Sequence, residues 1–474
     1  MPSSSTTHAV DEAATRVPRA LAFRLDALPL EWHNGVLTVG LADPGAAEVL
    51  DELRSATRLA IRPVQLARSA IRERLRIVYG ELEAPKSRDD GSTISAVDRL
   101  FARAAGAHAS DVHIEPVGRG GRIRFRIDGL LQEIERVSPE AYAPLVSRVK
   151  LLAGIDIAEK RVPQDGRYTI RIEQREIDAR VSSVAAADGE KLVVRLLDRR
   201  AHLPELARLG MAPSMRVQYQ RLARAPWGFL VVAGPTGSGK TTTLYASLSE
   251  LDSARLNVCS VEDPIEMQLA GVTQVQVNAK AGVTFAVSLR AFMRQDPNVV
   301  MIGEMRDGET AAVAVSAALA GQLVFTTLHA NDAPRTIERL VDLGVPRHAL
   351  AAGLSAVVAQ RLVRTLCTAC RRSAPIPTAY RAFAPDADRH WFEAVGCRVC
   401  ANTGFLGRTA VYELLEVDDI LREAIVAGSS SSALARLGTQ SGYVPMFADG
   451  LHKVSSGLTS FDELTRVVAP GGAT

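Results

Sequence analysis

The stretch Gly234-Pro235-Thr236-Gly237-Ser238-Gly239-Lys240-Thr241-Thr242 decides the fold. It is preceded by the apolar run Phe229-Leu230-Val231-Val232-Ala233 and followed by Thr243-Leu244-Tyr245-Ala246-Ser247-Leu248. Every fixed position of G-x-x-x-x-G-K-[ST] is met, with a strand expected before it and a helix after it. Glycines let successive backbone N–H groups turn toward phosphate oxygens, and the uncapped helix start offers its amides and positive dipole end to the same anion. Lys240 is placed to reach the β- and γ-phosphates, and the Thr241 hydroxyl to hold Mg²⁺.

Outward from this loop, an α/β domain is expected from about Leu203. Apolar strands are expected at 256–261, 299–302 and 322–328, ending in Glu262-Asp263-Pro264-Ile265-Glu266, in Gly303-Glu304 and in His329 respectively. Ligands of open parallel sheets bind at the carboxyl ends of strands, so these polar ends should converge on the phosphates held at Gly234. Phosphoryl transfer to water needs a carboxylate, a divalent cation and further positive charge, which makes Glu262 and Glu304 the leading carboxylates and His329 a candidate γ-phosphate sensor. Gly303 stands where the metal-holding Asp of a phosphate-loop enzyme usually lies, so Mg²⁺ must lean on Thr241, water and a neighbouring carboxylate.

At 474 residues the chain is too long for one core. The composition is ordinary for a globular protein, 47% hydrophobic and 23% charged, and a formal net charge of +3 gives no electrostatic case for nucleic acid as the main partner. The N-terminus has neither a basic region nor an apolar core of a secretory signal, so a cytoplasmic protein is expected. The run 311–328 is the best membrane-span candidate, but it carries Ser316, Gly321, Gln322, Thr326 and Thr327 and reads better as buried helix, break and buried strand. Any membrane attachment should then come through a partner.

In order, residues 1–16 read as disordered, 17–80 as a small mixed docking domain, and 81–92, charged with Pro and Gly, as a linker. Helices are expected at 19–25, 47–53 and 68–79, with a strand at 36–41 after the Asn34-Gly35 turn. A second domain at 93–202 opens with a helix at 94–106. It continues through strands at 112–115 and 122–127, a helix at 142–152, a hairpin-like pair at 168–172 and 176–184, and a last strand at 191–197. Arg124, Arg126, Arg180 and Arg195 lie on these strands. The rest, 203–474, is assigned to the phosphate-loop domain.

Five cysteines complete the inventory. Cys367, Cys370, Cys397 and Cys400 form two C-x₂-C knuckles, and Cys259 stands alone in an expected buried strand. Two knuckles supply the four thiolates Zn²⁺ prefers, and a reducing compartment disfavours disulfides, so a structural zinc module is expected at about 365–408. Residues 373–392 are then an excursion within it. Arg371, Arg372 and Arg398 flank the knuckles and leave a nucleic-acid-binding ribbon as the alternative.

The loop at Gly234, the acidic box Val261-Glu262-Asp263-Pro264-Ile265-Glu266, the stretch from Leu289 to Asp307 and Thr326-Thr327-Leu328-His329 together resemble the secretion ATPase superfamily, most closely the type II secretion and type IV pilus assembly ATPases. The resemblance covers about residues 20–465. It implies a hexameric ATP-driven motor with a RecA-like ATPase domain, a preceding PAS-like α+β domain, and an N-terminal domain that docks on an inner-membrane platform, so the protein would be cytoplasmic and peripheral to that membrane. It further implies that Arg180 and Arg195 are the second domain's functional arginines, that Arg290 and Arg294 are the pair ahead of the third strand, and that the four-Cys module marks assembly and secretion motors. One departure is Gln322, where the family usually has His after Gly. The rival reading is a RecA-like nucleic-acid translocase with a zinc ribbon, against which the near-neutral charge and the lack of interleaved aromatic and basic residues argue.

Overall fold

The computed structural model describes residues 13–14, 16–17, 21–22, 25–33, 35–66, 71, 74–75, 93–172, 175–198, 203, 205–375 and 391–469. The expectations for 1–16, 19–25, 68–79, the linker 81–92 and most of the excursion 373–392 fall wholly or largely outside them. The chain divides into two compact units, Met1–Ala102 and Arg103–Thr474.

In the first unit, β1 (Leu28–His33) pairs antiparallel with β2 (Val36–Leu41), and β2 pairs parallel with β3 (Ala60–Gln65). The return from β2 to β3 runs through the helix Ala47–Thr57, longer than the sequence suggested, whose Leu50 and Leu53 are buried with Leu37, Val39 and Ile61. A parallel pair needs such a crossover, and this one brings an apolar helix face onto the sheet.

The second unit holds two larger sheets. The first has six antiparallel strands in the order β6-β5-β4-β9-β8-β7: β4 (Asp111–Val117), β5 (Gly120–Ile127), β6 (Leu130–Val137), β7 (Gln164–Ile172), β8 (Arg175–Ala186) and β9 (Gly189–Asp198). Strand β6, unrecognised in the sequence because Leu130-Leu131-Gln132-Glu133-Ile134-Glu135 alternates poorly, is an edge strand with no fully buried residue.

The second sheet has the order β12-β11-β13-β14-β10-β15-β18. Its strands are β10 (Gly228–Ala233), β11 (Val258–Glu262), β12 (Val272–Gln276), β13 (Val299–Ile302), β14 (Leu323–Leu328), β15 (Leu354–Leu366) and β18 (Phe405–Glu416). All neighbours are parallel except β15 with β18. The central strands are buried on both faces: along β10, Phe229, Val231 and Ala233 face one core while Leu230 and Val232 face the other. The 311–328 run resolves into the helix Gly308–Leu319, Gly321 in the left-handed region (φ +106°) and β14. No helix among the described residues is long and apolar enough to cross a membrane.

Candidate functional site

Strand β10 delivers the chain to Gly234 at the carboxyl edge of the sheet, and the helix Lys240–Ser249 leaves from Gly239. Gly234 (φ +151°) lies so close to β15 that a Cβ would stand 2.5 Å from the Gln360 carbonyl oxygen, and Gly239 (φ +87°) starts the helix with no side-chain cap. The first amides of the helix therefore remain for an anion. Lys240 folds back under the loop, donating to the carbonyls of Gly234 (2.8 Å) and Pro235 (2.9 Å). Burial pulls its pKa down to about 8, and the Glu304 charge opposes that fall. Pro235, Thr236, Gly237 and Thr241 are exposed and Thr242 is half-buried, whereas Ser238 is buried with its hydroxyl lacking a partner. An orphaned hydroxyl inside a cradle of free amides fits a phosphate chain.

Gln360, which no motif marks, holds the loop from the β15 side. Register places it level with the loop, since Ala233 pairs with Ala359. Fully buried, it donates to the Ser238 carbonyl (2.7 Å) and accepts from the Thr243 hydroxyl (2.8 Å).

The strand ends converge in the sheet order β11-β13-β14-β10, setting Glu262, Glu304, His329 and Gly234 side by side. Glu262 is 2% exposed and accepts from the hydroxyls of Tyr245 and Ser260 (2.6 Å) and from the Gln274 amide (3.0 Å). Glu304 is more open; Arg306 donates to it at 2.5 Å and His329 Nε2 stands 3.9 Å away. Burial first, then the Lys240 charge, lowers the His329 pKa, so the ring is neutral near pH 7. A side chain at Gly303 would press its Cβ to 3.2 Å from the Glu262 Cα, which leaves little room for an Asp there.

Arg180 reaches across from the six-stranded sheet to Glu266 at 3.3 to 3.4 Å. The Glu266 amide donates to the Tyr245 hydroxyl (3.2 Å), so this contact is wired to the helix that follows the phosphate loop and to Glu262. Arg195 pairs with Asp111 (3.2 Å). Arg290 pairs with Glu309 (2.8 Å) and Arg294 donates to the Arg290 carbonyl (2.9 Å); among the described contacts neither reaches the phosphate loop, Glu262 or Glu304. Gln322 and His329 flank opposite ends of β14, about 20 Å apart at the usual rise of a strand, so the departure at Gln322 lies away from the phosphates.

The four cysteines meet where β15 ends and β18 begins. The Sγ atoms of Cys367 and Cys397 are 3.9 Å apart, and those of Cys370 and Cys400, and of Cys397 and Cys400, 3.8 Å. Four sulfurs at the usual zinc–sulfur bond length have tetrahedral edges of about 3.8 Å, so the cluster is compatible with zinc. The amides of Cys397 (3.2 Å) and Gly404 (3.1 Å) donate to the Cys400 sulfur, as expected for a thiolate. Between the pairs, β16 (Arg372–Ala374) and β17 (Trp391–Glu393) pair antiparallel in a two-stranded sheet. Arg371 and Arg372 are engaged with the Gly457 carbonyl and with Glu393.

A family model described as "Type II/IV secretion system protein" matches residues 86–466. The chain belongs to that family. It is an ATPase. An MshEN domain model matches residues 4–85. The chain is 45% identical over 381 residues to the type II secretion system protein HxcR of Pseudomonas aeruginosa, covering 80% of this chain and 78% of that one. It is 40% identical over 458 residues to the protein transport protein HofB homolog of Escherichia coli K12, covering 95% and 97%. Among solved structures it is similar to the pilus retraction motor PilT with bound ADP, at TM-score 0.53 and 25% identity over 79% of this chain and 97% of that one. It also shares the fold of the Legionella pneumophila ATPase DotB, at TM-score 0.60 and 21% identity over 81% and 98%.

Proposed function

We propose that this ATPase works as a cytoplasmic hexamer that turns ATP hydrolysis into movement of its six-stranded-sheet domain (93–202) against its phosphate-loop domain (203–474). That movement drives assembly of a type II secretion pseudopilus or a type IV pilus through an inner-membrane platform, on which the N-terminal domain (17–80) docks. The observation that carries this reading is the contact of Arg180 with Glu266, since it joins one domain to the hydrogen-bonded group of Tyr245 and Glu262 beside the phosphate loop. Rigid-body closure on a nucleotide is an ordinary way to turn phosphate contacts into motion. Relatives named for type II secretion and protein transport support the process assigned, and no direct nucleic-acid partner is expected.

In this reading residues 234–242 cradle the phosphates and Lys240 neutralises them. Glu304, open to water, orients and deprotonates the attacking water, while Glu262 holds the acidic box in place. Arg180 and Arg195 bring positive charge when the domains close, and His329 senses the γ-phosphate. Mg²⁺, held by Thr241 and water, would neutralise phosphate oxygens. Zn²⁺ on Cys367, Cys370, Cys397 and Cys400 would fix the module at 365–408; purified protein should contain one zinc per chain, and elemental analysis finding none in a folded, reduced preparation defeats that assignment. The function itself is tested at Lys240. Lys240→Ala should abolish ATP turnover while thermal unfolding changes little, because the ammonium serves phosphate charge; a variant that still hydrolyses ATP removes the site.

A further inference from the structure

On the face of the six-stranded sheet that carries Arg180, arginines recur at one register level. Arg167 on β7 pairs with Arg180 on β8, which pairs with Arg195 on β9. Elsewhere on this sheet the arginines are balanced by carboxylates: Arg171 faces Glu176 (3.2 Å), Arg126 and Arg195 flank Asp111, and Arg122, which stands between Glu115 and Arg136, pairs with Glu115 (2.8 Å) while Arg136 pairs with Glu133 (2.9 Å). Like charges directly opposite on neighbouring strands destabilise a sheet, so three adjacent arginines are costly unless an anion joins them. Arg195 has Asp111 and Arg180 has Glu266, both on other strands or domains. Arg167 is exposed and has no ion-pair partner among the described residues; its own-strand neighbour Asp165 is not within ion-pair distance. The three side chains line one cleft of about 590 Å³ together with Asp165, Ser182 and Val193, a size ordinary for a ligand site.

We propose that Arg167 is a third catalytic arginine: the row Arg167, Arg180, Arg195 receives the nucleotide's polyphosphate when the domains close. The inference rests on the closure reading above and adds to it a residue which that reading leaves idle. Three guanidiniums rooted one strand separation apart, about 4.8 Å, can converge at the ends of their long side chains on one polyphosphate, each able to make a two-pronged hydrogen bond to it. The bound anion also removes the repulsion that the empty row carries, so the closed arrangement gains from charges that oppose each other in the open one.

The test measures ATP turnover and thermal unfolding on the full chain for Arg167→Gln and Arg167→Lys, beside Arg180→Ala and Arg195→Ala. Arg167→Gln should lower kcat about tenfold or more with a smaller change in KM, and should unfold at the same or a higher temperature, because a repulsion is lost. Arg167→Lys, which keeps the charge without the fork, should recover part of the rate. Wild-type kcat in Arg167→Gln overturns the proposal, as does a loss of rate accompanied by a lower unfolding temperature and not relieved by lysine, which marks a structural arginine. If Arg180→Ala and Arg195→Ala both turn over normally, the closure reading itself fails. If they lose turnover while Arg167→Gln does not, only the third arginine is withdrawn.

Discussion

Strands β11 and β13 lie side by side in parallel, and each brings a glutamate to its carboxyl end, yet the two ends are built differently. At the end of β11 three donors on three elements close around Glu262: Tyr245 from the phosphate-loop helix, Ser260 from its own strand and Gln274 from β12. At the end of β13 Glu304 meets, among the described residues, the guanidinium of Arg306 and, more distantly, His329, with its side chain 20% exposed. A carboxylate whose lone pairs are already taken is a brace, and one with free lone pairs beside a lysine and water can accept a proton. Environment, rather than residue type, separates the two roles.

The largest effect that could break this contrast lies at Glu304. Glu304→Gln keeps the shape and removes the base, so turnover should fall by about 10² to 10⁴ while binding of a non-hydrolysable ATP analogue and the unfolding temperature stay near wild type. Glu262→Gln should do the reverse. Its new NH₂ group would face hydroxyl and amide donors, leaving one buried group unsatisfied and lowering stability by about 1–3 kcal/mol, read from denaturant unfolding. Its loss of turnover at 25 °C should be the smaller of the two. A Glu262→Gln protein that unfolds normally but is inactive, beside an active Glu304→Gln, would exchange the assignments.

Much of this site was legible because a phosphate loop is local: glycines, lysine and threonine at fixed spacing need only the strand before and the helix after. The strands ending in Glu262, Glu304 and His329 were legible as short apolar runs. What supports them was not. Strand β15 follows the helix Arg347–Gly353 without a turn signal, and an apolar run in that setting does not distinguish helix from strand. Gln360 therefore carried one hint, a lone amide among alanines and valines that must find partners once buried, and only the pairing of β15 with β10 shows which partners. β12 and β18 were missed for the same reason, as outer strands whose neighbours are set by tertiary pairing. The contact of Arg180 with Glu266 spans 86 positions of sequence, and no local pattern encodes it.

The finest probe of the contrast is proton uptake at Lys240. Its native pKa, about 8, lies below the ordinary 10.5 because burial penalises the charged ammonium, and Glu304 is the group that holds it from falling further. Between those two values the unfolded chain binds more protons than the native one, so this lysine makes stability rise with pH through the window. Nucleotide binding runs the other way: phosphates favour the ammonium, so binding takes up a proton and affinity should weaken as pH rises through about 8. Calorimetric titration of a non-hydrolysable ATP analogue, repeated in buffers of different ionisation enthalpy, reads both effects. Removing the Glu304 charge takes away the attraction that supports the ammonium, so in Glu304→Gln the onset of weakening should move to lower pH. Glu262 exerts no such pull on Lys240, and Glu262→Gln should leave the onset in place. An onset that moves with Glu262 and not with Glu304 would mean that the open carboxylate beside the lysine is the one at the end of β11, and the division of labour between the two strand ends would have to be reversed.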